Sequence, residues 1–204
     1  MTNVTATELA ELGQIQAATL HEALGRYGAL PSGIKGLNPR MKVCGPAYTV
    51  KTRPNDNLTL HHALAAAPAG AVIIASTLDF WEAGYWGEVM AVSAVARGLN
   101  GLVIDGCVRD ADPIEELGFP VFARGLCMRG TVKGGLGELN TPIVIGDVVI
   151  QPGDIVVGDR DGVVIVPQGR VAEAIAKSRQ REAHEAELMA QLRAGKTTVE
   201  LLSL

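Results

Sequence analysis

Apolar residues recur at helical spacing near both ends of this chain and gather into short unbroken runs between them. Leu9, Leu12, Ile15 and Leu20 repeat among polar neighbours over residues 5–24, with Gly25 and Gly28 following as stops, which predicts one or two N-terminal helices. Residues 30–40 are dense in Pro and Gly and read as a loop, and residues 43–52 read as a strand interrupted at Gly45-Pro46. Asn55-Asp56-Asn57 offers side-chain oxygens to the first turn of a helix over about 58–67. A buried strand over 71–75, a helix over 89–97, a turn at Gly98-Leu99-Asn100-Gly101 and an almost wholly apolar strand over 102–104 come next. A short helix over 111–117 and a short strand over 121–123 complete a middle region that alternates β and α, as a layered sheet requires.

After Gly130 the pattern changes. Apolar runs over 143–145 with 148–150, over 155–157 and over 163–166 are separated by Gly146-Asp147, Pro152-Gly153-Asp154 and Asp161-Gly162, the residues of tight turns. The chain closes with a long helix over 170–193, stopped by Gly195, and a short apolar tail over 199–204. No internal repeat or low-complexity linker interrupts the 204 residues, a length that fits one domain.

Composition narrows the function. Hydrophobic residues make up 48% of the chain with only 4% aromatic, and 24 glycines supply tight turns, which suits an α/β fold packed from small aliphatics. So few aromatics argue against a stacking surface for single strands, and a net charge of -4 offers no field for a phosphate backbone, so no nucleic-acid partner is expected. No segment has the length of a membrane span, and Met1-Thr2-Asn3-Val4-Thr5 is not a basic region followed by an apolar stretch. A cytoplasmic protein without a membrane partner is the expectation. Cys44, Cys107 and Cys127 are widely spaced without a CxxC, so they predict neither a disulfide framework nor a zinc site and read as small buried hydrophobes.

The charged residues with a chemical meaning are Glu88, in Gly87-Glu88-Val89-Met90, and the pair Arg109-Asp110 that follows after the twenty residues 89–108. The intervening helix, turn and strand return the chain to where the helix began, so three charged side chains are expected at one mouth. Arg109 offers a fixed fork for a carboxylate and Asp110 a hard oxygen ligand for a divalent cation. An Arg-Asp pair can equally be an ordinary salt-bridged loop. Its place after an apolar strand, where open α/β sheets bind ligands, favours the site. Asn57 and His61, four apart, share a helix face near an N-terminus that favours anions. They read either as ligands for a substrate carboxylate or hydroxyl, or as a cap and a core histidine.

Other motifs carry less. Gly134-Gly135-Leu136-Gly137 lacks the spacing and flanking elements of a phosphate loop and reads as a flexible turn. Asp159-Arg160-Asp161-Gly162 lacks the closing glutamate of a calcium loop and reads as a hairpin. Arg181, Glu182, His184, Glu185 and Glu187 read as a solvated helix face. Without Gly-x-Ser-x-Gly, a nucleophilic cysteine context or lysines inside apolar strands, covalent catalysis has no candidate.

The string Trp86-Gly87-Glu88-Val89-Met90, continued by residues 101–110, closely resembles the family of 4-hydroxy-4-methyl-2-oxoglutarate aldolases and the regulator of ribonuclease E activity A. That family is marked by an Asp or Glu, twenty residues, then Arg-Asp. Pro54-Asn55-Asp56-Asn57-Leu58, residues 153–159 with 162–164, and residues 192–195 extend the resemblance over nearly the whole chain. It implies an α/β fold of the swivelling β/β/α type, a phosphohistidine-domain-like layered sandwich. One domain, 1–204, would carry a C-terminal helix over about 168–195 that packs on a neighbouring subunit, in trimers or in hexamers made of two trimers.

The resemblance further implies a divalent cation, Mg or Mn, held by Asp110 and otherwise by waters, a ligand set that suits Mg rather than zinc. Arg109 would grip the pyruvyl end of a 2-oxo acid substrate, and the backbone N–H groups of Gly87, Glu88, Val89 and Met90 would hold its carboxylate. Glu88 would orient or deprotonate a water, and Glu185, seven residues before Leu192, would reach in from a neighbour's final helix. Asn57 and His61 complete the expected substrate-binding set. The implied reaction is retro-aldol cleavage of a 4-hydroxy-2-oxo diacid to pyruvate and a 2-oxo acid, with oxaloacetate decarboxylation using the same electron sink. The family's other branch acts as a protein-binding regulator of ribonuclease E activity without catalysis. A menaquinone methyltransferase activity, also attached to the family, finds no glycine-rich nucleotide loop after an early strand.

Overall fold

The computed structural model describes residues 4–203. Helices α1 (Ala6–Leu12) and α2 (Ala17–Ala23) precede strands β1 (Lys35–Gly36) and β2 (Val43–Lys51). Then come α3 (Leu58–Ala66), β3 (Val72–Ser76), α4 (Glu88–Ala96), β4 (Gly101–Asp105), β5 (Cys107–Val108), α5 (Ala111–Leu117), β6 (Val121–Ala123) and β7 (Gly125–Leu126). The last third holds β8 (Glu138–Leu139), β9 (Ile143–Ile145), β10 (Val148–Ile150), β11 (Ile155–Gly158), β12 (Val163–Val166), α6 (Val171–Arg193) and α7 (Thr198–Leu202).

The apolar runs pair into one curled sheet in the order β1-β6-β4-β3-β2-β11-β12, with β8 added to β2. Strands β2, β3, β4 and β6 are parallel, joined through α3, α4 and α5. Strand β3 shows why such runs are solidly apolar: Ile73 and Ala75 pack among α3 and α4, while Val72 and Ile74 pack against the β9–β10 hairpin. Hairpin, sheet and helices give the β/β/α layering that the resemblance implies. A third cluster seats Leu12, Leu20 and Leu24 of the N-terminal segment, with Val171 and Ala174 of α6, on β11 and β12.

Helix α5 and strand β6 occupy the residues read from the sequence, and both hairpins turn where the glycines were. Several expectations change. Strand β2 runs unbroken through Gly45-Pro46, because it changes partners there: residues up to Pro46 pair with β11, and the ladder with β3 begins at Ala47. The N–H that Pro46 lacks is therefore not needed by β3. Gly45 is required by proximity, since a Cβ there would lie 2.6 Å from the Gly70 carbonyl. The apolar tail forms α7, started by a capping box between Thr197 and Glu200; Leu204 lies outside the described residues. The three cysteines are half-buried rather than buried. No helix among the described residues is long and apolar enough to cross a membrane.

Candidate active site

The ends of β3 and β4 are tied together by Thr77, whose hydroxyl donates to the Asp105 carbonyl at 2.6 Å. Beyond them the chain makes a second, smaller set of pairings. Tyr85 N–H donates to the Cys107 carbonyl at 3.0 Å and Arg109 N–H to the Trp86 carbonyl at 2.9 Å, so residues 84–87 run alongside 107–110. That alignment sets the first turn of α4 against Arg109-Asp110. Gly87 is the N-cap of α4, and a Cβ on it would sit 2.4 Å from Asp110 Oδ2. Only glycine lets the carboxylate in. Asp110 caps α5 in the left-handed conformation, φ 57°, which Asp tolerates better than most residues.

Asp110 Oδ2 accepts the Glu88 N–H at 3.1 Å, and Arg109 Nε lies 3.6 Å from the same oxygen. The carboxylate thus faces the positive end of a nine-residue helix and a guanidinium. The N–H of Val89 has no acceptor among the described residues and is free for an anion. These groups open on a cavity of about 250 Å³, whose polar wall includes Asn57, His61, Arg109, Asp110, Thr131 and Lys133. Burial, then the charges of Lys133 and His62, push the His61 imidazole below its ordinary value and so favour its neutral form.

Of the expected residues, the cavity brings together Asn57, His61, Gly87, Val89, Met90, Arg109 and Asp110. Glu88 contributes its backbone N–H to Asp110, while its side chain is exposed and outside the cavity wall. Glu185 does not line the cavity of its own chain; it pairs with Arg181 at 2.7 Å on α6. Asn57 is the N-cap of α3 without a capping bond from its side chain; Asp56 Oδ1 takes the Leu58 N–H instead, at 2.8 Å. The Asn57 amide points inward, with Nδ2 donating to the Tyr85 carbonyl at 3.0 Å and to Met90 Sδ at 3.6 Å.

Lys133 and Thr131 escaped sequence reasoning. They reach the cavity because Val132 lies between Asn55 and Asn57, donating to the first and accepting from the second. The glycines beyond are pinned rather than flexible: Gly134 and Gly135 N–H groups donate to Asp56 Oδ2 at 2.7 and 2.9 Å. Glycine density around an isolated lysine was the only signal. Among the described residues no three His, Cys, Asp or Glu side chains gather as a metal cage. A single carboxylate that lines the cavity, with Oδ1 unengaged among the described residues, fits a hard cation that keeps most of its waters.

The sequence profile of the RraA-like family, described as Aldolase/RraA, matches residues 17–165. A protein of Halalkalibacterium halodurans named "Putative 4-hydroxy-4-methyl-2-oxoglutarate aldolase" is 35% identical over 171 residues, 84% of this chain and 81% of its own. Among solved structures, an uncharacterized protein from Pseudomonas syringae pv. tomato superposes with a TM-score of 0.87 at 33% identity, covering 96% of this chain and 92% of that one. Streptomyces coelicolor RraAS2, titled an unusual member of the RNase ES inhibitor RraA protein family, superposes at 0.79 with 25% identity, covering 96% and 100%.

Proposed function

We propose, from the premise that this chain belongs to the RraA-like family, that it is a divalent-metal-dependent aldolase cleaving 4-hydroxy-2-oxo diacids to pyruvate and a second 2-oxo acid. One observation carries the reading: Asp110, held by the Glu88 N–H, flanked by Arg109 and with its other oxygen unengaged, lines a cavity of substrate size. Asp110 would hold Mg or Mn, which would supply a positive charge opposite the enolate oxygen of the product.

The chain's own residues do the rest. Arg109 binds the 2-oxo acid end, and its guanidinium gains most when negative charge grows on the substrate oxygen. The Val89 N–H, at the positive end of α4, takes a carboxylate oxygen. Loss of the 4-hydroxyl proton to a water near Glu88 turns C4–O into a carbonyl as the C3–C4 bond breaks. The electron pair passes to C3 as the pyruvate enolate, and a proton at C3 gives pyruvate. Oxaloacetate loses CO2 instead and reaches the same enolate.

Helix α6 buries only Val171, Ala174 and Ser178, leaving Met189 and the rest of its second half outside the chain's own core. That half would pack on a neighbouring subunit in a trimer or hexamer and bring Glu185 to the neighbour's cavity. A protein-binding regulator is the second reading, supported by the likeness to RraAS2. Purified protein with Mg or Mn should release pyruvate from oxaloacetate and from a 4-hydroxy-2-oxo diacid, and both activities should vanish with chelator and in Asp110→Ala. No release from any such substrate refutes the aldolase and leaves the regulator.

A further inference from the structure

Lys133 is the charged residue of the cavity wall to which the reaction scheme gives no task. Arg109 has Asp110 beside it at 3.6 Å, whereas Lys133 has no carboxylate within ion-pair distance among the described residues. The backbone on either side of Lys133 is fixed. Val132 donates to the Asn55 carbonyl at 2.9 Å and accepts from the Asn57 N–H at 3.2 Å, and the Gly134 N–H donates to Asp56 Oδ2 at 2.7 Å. A side chain rooted between two such anchors stays at the wall, and its charge reaches His61, another residue of that wall. A free cation in one cavity with Arg109, and with the cation that Asp110 would hold, is unfavourable until an anion enters. The scheme leaves such an anion over: Arg109 and the Val89 N–H take the 2-oxo acid end of the diacid, and its second carboxylate has no partner.

We propose that Lys133 binds the second carboxylate of the substrate and is the residue that selects diacids over monoacids. The inference rests on the aldolase reading for its substrate class. Two hydroxy acids measure it: 4-hydroxy-2-oxoglutarate and 4-hydroxy-2-oxopentanoate undergo the same bond cleavage and differ in a carboxylate against a methyl group. In cleavage the second carboxylate keeps its charge from substrate to product, so Lys133 strengthens substrate and transition-state binding alike. Its loss raises KM for the diacid and leaves kcat nearly unchanged. Oxaloacetate behaves differently. There the second carboxylate leaves as CO2, its bonding pair passing to the enolate, so a cation that holds it stabilises the ground state over the transition state. Removal of Lys133 therefore raises KM for oxaloacetate without lowering kcat.

The test measures kcat and KM of wild type, Lys133→Met and Lys133→Arg with Mn on the two hydroxy acids. Lys133 is exposed, so both variants are expected to fold as wild type does. Lys133→Met should lower the diacid-to-monoacid ratio of kcat/KM by roughly tenfold to a hundredfold, almost all of it through the KM of the diacid. Lys133→Arg should restore most of that ratio. The monoacid and pyruvate, which have no second carboxylate, should bind all three proteins equally. A Lys133→Met protein that keeps the wild-type ratio overturns the proposal, and so does one that loses both substrates to the same degree, as a merely structural lysine would. Calorimetric binding of 2-oxoglutarate and 2-oxopentanoate with Mn separates the proposal from the aldolase reading, because neither has a 4-hydroxyl to cleave. A wild type that cleaves neither hydroxy acid yet prefers 2-oxoglutarate, with that preference lost in Lys133→Met, sinks the aldolase and keeps Lys133 as the carboxylate's partner. Equal affinity of wild type for those two ligands sinks the role of Lys133.

Discussion

Gly87→Ala separates the geometry of the site from the stability of the fold. Gly87 has φ -148° and ψ -173°, extended backbone that alanine adopts without strain. The new Cβ would nevertheless stand 2.4 Å from Asp110 Oδ2 and 3.3 Å from Arg109 Cγ and Nε. Ordinary contact requires the carboxylate to retreat by roughly 1 Å. Its bond to the Glu88 N–H, now 3.1 Å, would then be lost. Hydrogen bonds to charged groups contribute about 1.5–3 kcal/mol, which corresponds to roughly 10- to 150-fold in an equilibrium or rate.

Stability should respond differently. The Asp110 side chain is 39% exposed and can swing into solvent, and alanine restricts the unfolded chain, an effect of about 0.4–1 kcal/mol in favour of folding. Gly87→Ala should therefore melt close to or somewhat below the wild-type temperature, the lost bond at an exposed helix end offsetting that gain, while losing on the order of tenfold to a hundredfold in Mn affinity and in kcat/KM for pyruvate release. Calorimetric Mn titration, a pyruvate-coupled assay and a thermal melt measure the three quantities. An alanine variant with wild-type Mn affinity and wild-type turnover would mean that Asp110 is not positioned through this approach, and the site as described would fail.

Three further outcomes are expected. Leu102→Ala, at a fully buried position of β4 between sheet and helices, should destabilise by about 2–5 kcal/mol in denaturant titration without abolishing catalysis at low temperature. Burial pushes the Cys44 thiol up to about 11, so at pH 8 its thiolate fraction is about a hundredfold below that of a free cysteine, and mass spectrometry should find it alkylated last in the native protein and promptly after unfolding. If Glu185 serves a neighbour's cavity, Glu185→Gln and Asp110→Ala proteins, each inactive alone, should on mixing and reassembly recover about a quarter of wild-type activity, as random assortment in a closed ring gives. Absence of any recovery, with subunit exchange verified, would place Glu185 outside the chemistry.

Elements whose physics is local were legible in the chain. The solid apolar run of β4, the turn glycines of the two hairpins and the helix over 111–117 each signal themselves within a dozen residues. Strands β1, β5, β7 and β8 are two residues long and have no period to read; they exist because distant segments dock beside them. Arg109 and Asp110 were visible because they follow the legible apolar run of β4 within a few residues.

The unread half of the cavity follows from the opposite cause. Val132 inserts between Asn55 and Asn57, more than seventy residues away in sequence, and only that pairing turns Thr131 and Lys133 into wall residues. Asn57 could be read as a cap because capping is the commonest use of Asn before a helix. Asp56 takes that role with one carboxylate oxygen while its other oxygen gathers Gly134 and Gly135, and so frees the Asn57 amide to face inward. The orientation of the Asn57 amide is thus set one residue away, by a buried Asp whose carboxylate accepts from three backbone N–H groups and is held below the usual carboxylate range. Burial alone would raise it, but those N–H donors and the nearby Arg53 outweigh that effect. Because the folded carboxyl is depressed, its contribution is present above the ordinary Asp range and fades as pH falls below it. Acid should accordingly loosen residues 131–135 and the cavity wall together, before the apolar sheet gives way.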